Sequence, residues 1–317
     1  MIERKLASKA LDLARRAPIL TLTGPRQSGK TTLARSTFPN FAYTNLETGD
    51  QRNFALEDPR GFLARFQEGA ILDEIQAVPS LFPYLQETVD LSTRPGCKFV
   101  LTGSQNMALQ QEISQSLAGR SVQLELLPFS LSELEAHGLA DPDPWKTLWK
   151  GGFPRLYNED WNPTDWLPSY IQNYLERDVR QLAQVGDLGK FQVFLQLCAG
   201  RIGQLVNLTA LGNEVGVDHK TIARWLSILE ASYVVFQLRP HHANFHKRLV
   251  KTPKLFFYDV GLACSILRIR SPADLDSHYL RGSLFENFAI LELVKNRMNL
   301  GERPSFWFWR DSSGHEV

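Results

Sequence analysis

The sequence predicts an α/β protein. Its first part should be a mostly parallel, doubly wound sheet with helices on both faces, followed by a helical segment and a partial third unit of α/β type. Three observations predict this. Short apolar runs alternate with helical stretches as far as Leu127. One of those runs ends in a glycine-rich turn, "GPRQSGKTT", that leads into a helix-forming stretch. From 138 to 168 the chain changes character, with "GLADPDPW", "GGFPRL" and "DWNPTDWLP" marking loops and short helices at a boundary.

The elements follow in order. Residues 1–17 place Ile2, Leu6, Ala10, Leu13 and Ala14 near helical spacing, so an amphipathic helix is expected. Pro18 precedes "ILTLTG", a β-branched apolar run suited to a buried strand. Further strands are expected at 41–46, 69–74, 98–104 and 122–127, with helices in "RGFLARF" and "SLFPYLQETVDL". The organisation this implies is a first domain at 1–150, a helical lid or linker at 151–188, a second domain at 189–250 and a partial unit at 251–317.

Composition bounds the function. A chain of 317 residues holds two or three domains and at least one sizeable core. Net charge is only +1, so any argument for nucleic acid or membrane must be local. The charged N-terminus does not read as a signal peptide, so none is expected, and no stretch approaches the roughly 18 apolar residues of a span. Cys97, Cys198 and Cys264 are far apart without a CxxC pair, which predicts unpaired thiols and a cytoplasmic protein.

The glycine-rich turn carries the chemistry. Gly24-Pro25-Arg26-Gln27-Ser28-Gly29-Lys30-Thr31 matches G-x-x-x-x-G-K-[ST], between a strand and a helix. Glycines let backbone N–H groups curl around phosphates at a helix N-terminus, where the dipole favours anions. Lys30 is expected to reach the β- and γ-phosphates, the Thr31 hydroxyl to ligate Mg²⁺, and Thr32 to line the same site. In "AILDEIQ" an apolar strand ends in Asp73 and Glu74. Asp73 would hold Mg²⁺, and Glu74 would act as general base on the attacking water. The alternative is a solvated acidic turn. Thr102, Ser104 and Asn106 end the next strand, either touching the γ-phosphate or making ordinary turn contacts. Arg120 is a candidate arginine finger, in cis or from a neighbouring subunit of a homo-oligomer, or else a surface arginine.

These motifs, with "LAGRSVQLELLPFSLSE", "YLERDV", "KTPKLFFYDVGL" and "GSLFENFAILEL", resemble a prokaryotic group of AAA-like P-loop ATPases from about residue 2 to 317. Its members pair the ATPase with a C-terminal restriction-endonuclease-like domain. The resemblance implies an AAA-type sheet with the phosphate-loop strand central, and ATP as the nucleotide. No guanine-reading NKxD is present, which agrees with ATP.

Two later segments add expectations. "VNLTALGNEVGVDHKTIARWLSILEASYVV" has the grammar of a helix-turn-helix, with one helix at 209–215, a turn at Gly216-Val217 and Asp218 as the next N-cap. Ile222, Trp225, Leu226 and Leu229 make the apolar face, leaving Lys220, Thr221 and Arg224 outward. Two strands and a wing would follow, and from 231 to 258 there is no Asp or Glu. The basic segment makes duplex DNA a candidate partner through Lys220, Arg224, Lys247, Arg248 and Lys251, Arg239 and Lys254 adding to its charge. A lid or a protein contact is the alternative. His241, His242 and His246 read as loop histidines. In "RGSLFENFAILELVKNRMN" Glu286 matches the helix glutamate of the family and also completes a capping box, Ser283-x-x-Glu286, which is the favoured role. "PSFWFWRDSSGHEV" reads as the start of a hairpin. The family's Asp and E-x-K would come later, so nuclease chemistry is not expected of this chain.

The expected function is a slow Mg²⁺-dependent ATPase with Glu74, Lys30 and Arg120 as catalytic candidates. The alternatives are a nucleotide-gated switch with little turnover, or an ATPase that controls a DNA nuclease.

Overall fold

The computed structural model describes residues 2–92, 95–104, 116–175, 188–241 and 252–310. The chain divides into two compact units, Met1–Pro128 with Arg297–Glu302, and Phe129–Asn296 with Arg303–Val317.

The first unit runs α1 (Leu6–Ala14), β1 (Ile19–Thr23), α2 (Lys30–Thr37), β2 (Ala42–Asn45), α3 (Gly49–Glu57), α4 (Pro59–Ala64), β3 (Ala70–Asp73), α5 (Phe82–Asp90), β4 (Phe99–Thr102) and β5 (Ser121–Glu125). The five strands form one sheet in the order β2-β3-β4-β1-β5, with every pairing parallel. The phosphate-loop strand β1 is internal, but the middle place belongs to β4, which corrects the expectation of a central β1.

Alternation along each strand sorts the core into two layers. Ala70, Leu72, Phe99 and Leu101 pack with Phe62, Phe82 and Leu85 from α4 and α5. Leu20, Leu22, Ile71 and Val100 pack with Leu6 and Ala10 of α1 and Leu33 and Ala34 of α2. Both faces are therefore covered, which is why the strands read as unbroken apolar runs. Each fully buried phenylalanine contributes roughly 2–3 kcal/mol to that packing. The Asp58 carboxylate accepts from Gly61 N at 2.8 Å and caps α4, with Pro59 in the first helical position.

The second unit contains α6 (Leu131–Ala136), α7 (Pro144–Lys150), α8 (Pro154–Asn158), α9 (Pro163–Tyr170), α10 (Leu188–Ala199), α11 (Leu208–Val215), α12 (His219–Ala231), β6 (Val235–Pro240), β7 (Lys254–Phe257), α13 (Val260–Ile266), α14 (Pro272–Ser277), α15 (Arg281–Asn299) and β8 (Trp307–Phe308). The Pro-rich boundary segment becomes three short helices that each begin on a proline, where the absent N–H costs nothing. Asn207 and Asp218 cap α11 and α12, and Gly216 between them sits at φ +75°, the left-handed turn that lets one helix end and the next begin. Ile222, Trp225, Leu226 and Leu229 are buried, and Trp225 packs on Phe191 and Phe194 at 5.5 and 5.6 Å. β6 pairs antiparallel with β7 and parallel with β8. Strands from the segments read as separate domains thus share one sheet, and the compact units part at Pro128 rather than residue 150.

The expected capping box at Ser283 is corrected. Helix α15 starts at Arg281, so Ser283 lies inside it, and Glu286 pairs instead with the nearly buried Lys254 at 3.0 Å. Residues 242–251 and 311–317 lie outside the described residues, and with them His242, His246, Lys247, Arg248, Lys251 and the end of the expected hairpin.

Candidate active site

The loop between β1 and α2 leaves the carboxyl edge of the sheet. Gly24 sits at φ +144°, and a Cβ built there would lie 2.2 Å from the Leu126 carbonyl oxygen, so only glycine fits beside the chain leaving β5. Gln27 and Gly29 also have positive φ, curling the backbone toward the first turn of α2. Arg4 fastens this loop from outside it. Its guanidinium donates to the Ser28 carbonyl at 2.8 Å and the Leu127 carbonyl at 2.6 Å.

Lys30 is buried and donates to the carbonyls of Gly24 at 3.1 Å and Pro25 at 2.7 Å. Burial pulls its ammonium down to about 8, against the opposing pull of Glu74 and Asp73. The Thr31 hydroxyl donates to both oxygens of Asp73, at 3.0 and 2.9 Å. Asp73 is itself buried and accepts two more hydroxyls, Tyr43 at 2.8 Å and Thr102. The sheet makes this convergence. β3 lies between β2 and β4, with Asn45 opposite Asp73 and Leu72 opposite Leu101, so the strand ends meet at one edge.

Glu74 follows in the left-handed region, at φ +56° and ψ +47°. For a residue with a side chain that conformation costs about 1–2 kcal/mol, and it turns the chain out of the sheet at the end of β3. Gln76 Nε2 donates to the Glu74 carboxylate and to Ser104 Oγ at 3.3 Å, linking the tips of β3 and β4.

These residues fit a phosphate and a hard cation. The Ser28 hydroxyl is buried in the loop without a partner among the described residues, the cradle admits no Cβ at Gly24, and Asp73 with its three hydroxyls is an all-oxygen donor set of the kind Mg²⁺ takes. A cavity of about 540 Å³ adjoins the site along Thr31, Thr32, Arg35 and Tyr43.

Sequence reading and structure can be matched residue by residue. Gly24 through Thr32, Asp73, Glu74, Thr102 and Ser104 lie at one edge, whereas Asn106 falls outside the described residues. Arg120 is not part of this group. It precedes β5 at the amino edge of the sheet, where its carbonyl accepts from Ile19 N, and its guanidinium grips Asp90 at 2.6 and 2.8 Å. Lys220 and Arg224 are exposed on α12 of the second unit. Arg4, Tyr43 and Gln76 escaped the sequence reading. For Arg4 and Tyr43 the partners are 24 to 123 residues away and no local pattern announces them; Gln76 stood in "ILDEIQ" beside Glu74, and its spacing was the one available signal.

Known proteins resemble this chain in sequence and in fold. A family model described as "AAA domain" matches residues 16–135, and one described as "Domain of unknown function (DUF8612)" matches residues 142–273. An uncharacterized protein of Mycobacterium tuberculosis is 32% identical over 326 residues, covering 100% of this chain and 70% of the relative. An uncharacterized protein of Mycobacterium bovis gives the same figures. Among solved structures, a Walker-type ATPase of Pyrococcus abyssi superposes with a TM-score of 0.54 at 15% identity, over 84% of this chain and 96% of that one, a likeness of fold. No helix among the described residues is long and apolar enough to cross a membrane. The chain therefore belongs to the AAA-like P-loop family, together with these mycobacterial relatives.

Proposed function

We propose that the chain is a slow, Mg²⁺-dependent ATP hydrolase. The observation that carries this reading is the pair of hydrogen bonds from Thr31 to Asp73, beside a buried Lys30, in a loop that admits no side chain at Gly24. In the working complex Lys30 would exchange the carbonyls of Gly24 and Pro25 for the β- and γ-phosphates, with the loop N–H groups around them. Thr31 and Asp73 would hold Mg²⁺, whose charge offsets the negative charge that develops on the phosphates. Glu74, released from Gln76, would take the proton of the attacking water. Slowness is supported by the same contacts, since Lys30, Asp73 and Glu74 are each engaged and must change partners before the chemistry. Steady-state hydrolysis by the wild type and Glu74→Gln tests the reading. The substitution should lower kcat by about 10²–10⁴-fold with little change in ATP affinity. Equal and negligible turnover by both, with ATP still bound, overturns the hydrolase reading in favour of a nucleotide-gated switch.

A second reading concerns the partner. The capped pair α11–α12 leaves Lys220 and Arg224 exposed on one helix, with a strand pair following, as a winged helix that contacts duplex DNA would. Replacing both with glutamate should flatten the slope of log affinity against log salt by about two. Absence of duplex binding by the wild type ends this reading.

A further inference from the structure

A cavity of about 570 Å³ opens within the second unit, and none of its lining residues belongs to the phosphate site or to α12. Trp149, Leu167 and Ile269 form its apolar wall. The indole is held in place, since Trp149 Nε1 donates to the Ile269 carbonyl at 3.1 Å, leaving a fixed ring with its polar edge satisfied.

The polar side of the lining carries an orphaned hydroxyl, two arginines and a strained helix end. Ser265 Oγ is buried without a hydrogen-bond partner among the described residues, a state that protein interiors rarely leave unexplained. Arg268 and Arg270 also line the cavity, both exposed, and neither side chain makes an ion pair among the described residues. Arg268 also has φ +60° at the end of α13. There Ile269 N donates to the Cys264 carbonyl at 2.9 Å and Arg268 N to the Ser265 carbonyl at 3.1 Å. Those two bonds define a Schellman helix end, whose left-handed position suits glycine. An arginine at that position costs stability and places a guanidinium on the cavity wall. Asp165, in the first turn of α9, adds one carboxylate to the lining.

We propose that this cavity binds an organic phosphate carrying a planar ring, of the size of a nucleoside monophosphate. The volume lies in the range of small-molecule sites. Arg268 and Arg270 take the phosphate, the guanidinium fork matching its oxygens. The ring lies against the fixed Trp149 indole. A sugar hydroxyl donates to Asp165, and the Ser265 hydroxyl turns out of its buried position to meet the same group. That carboxylate repels a bare inorganic anion and accepts from a ligand that brings hydroxyls, which is why an organic phosphate is favoured. Nothing in this assignment depends on the phosphate loop being an ATPase site.

Titration calorimetry of the full chain with AMP, adenosine and inorganic phosphate tests it, with Arg268→Gly, Arg270→Gln and Ser265→Ala alongside the wild type. AMP should bind, with adenosine and phosphate at least ~10-fold weaker. Each arginine substitution should weaken AMP by about 10-fold or more. The sharper signature joins two readouts. Arg268→Gly relieves the strained helix end and Ser265→Ala removes an orphaned hydroxyl, so both should raise the Tm of the free protein by ~2 °C while weakening AMP. AMP bound at the phosphate loop would be indifferent to these substitutions, so undiminished binding by the variants overturns the proposal. So does adenosine or inorganic phosphate binding as tightly as AMP, or an absence of AMP binding at millimolar concentration.

Discussion

Two buried aspartates, one in each unit, differ in what holds them, side-chain hydroxyls at one and backbone amides at the other. Asp73 accepts from three side-chain hydroxyls on α2, β2 and β4. Asp259 accepts from two backbone N–H groups, Gly152 at 2.7 Å and Leu262 at 2.8 Å, and caps α13. Hydroxyls rotate and can give up a carboxylate to a cation, whereas a backbone amide stays where the fold puts it. Space around the two differs as well. A Cβ on Gly151 would lie 2.4 Å from Asp259 Oδ1, so the chain closes on that carboxylate, while two of the residues that hold Asp73, Thr31 and Tyr43, line the adjoining cavity. Burial pushes the Asp259 carboxyl up, with the Lys295 ammonium pulling the other way.

The largest expected effect follows from that contrast. Asp259→Ala leaves two buried N–H groups without an acceptor, while Lys295 keeps its ion pair with Glu292 at 3.3 Å, so it should cost about 2–5 kcal/mol of stability. Asp73→Ala, also at a buried carboxylate, should cost far less, about 1 kcal/mol, because its hydroxyl partners can turn to other acceptors. Its penalty should fall on hydrolysis, by about 10²-fold or more. Denaturant unfolding and steady-state turnover of both variants check the pair. A loss of stability at Asp73 as large as that at Asp259 would break the distinction.

Lys30 gives the next effect. Its folded value of about 8 lies below the ordinary 10.5, so burial disfavours the charged form in the fold. Below pH 8 both folded and unfolded chains carry the proton and the cost is borne in full. Between pH 8 and about 10.5 the folded chain loses its proton first and the cost is relieved, by up to roughly 3 kcal/mol. Stability of the nucleotide-free protein should therefore rise through that window relative to Lys30→Met. A bound triphosphate supplies the missing anionic partner, so ATP binding above pH 8 should take up a proton and weaken as pH rises. Calorimetry in buffers of different ionisation enthalpy reads that uptake. Proton-neutral ATP binding at pH 9 would remove Lys30 from the phosphates.

The sequence made the loop and its acidic strand end legible because their signals are local. Gly24 through Thr31 is one contiguous pattern, and Asp73-Glu74 directly follow an apolar run. Two-face burial of β1, β3 and β4 was readable for the same reason. Tyr43 was not readable, since its tie to Asp73 requires β2 and β3 to be neighbours, a fact of topology. Ser283-x-x-Glu286 misled because the pattern reads alike at a cap and inside a helix; only the start at Arg281 and the reach of Lys254 decide it. The phosphate-loop strand likewise gave no local sign of whether it or β4 lay in the middle.

Arg120 is expected to have the smallest effect, and it bears on the boundary between site and scaffold. It stands beside β5, a strand that pairs with β1, yet at the edge opposite the loop, where Asp90 occupies its guanidinium with two hydrogen bonds. Asp90 is held below its usual value by that contact, and both groups are exposed to solvent, where such pairs add little. An arginine so placed does not reach the phosphates of its own chain. Arg120→Ala should then change turnover by less than about twofold at low protein concentration. If a neighbouring copy used this arginine, the wild-type rate per chain would climb with protein concentration and the variant's would not, because only association could carry the guanidinium to a second loop. A rate per chain independent of concentration, with the variant equal to the wild type, assigns Arg120 to the scaffold and leaves Lys30, Asp73 and Glu74 as the charged side chains at the carboxyl edge that the proposed chemistry requires.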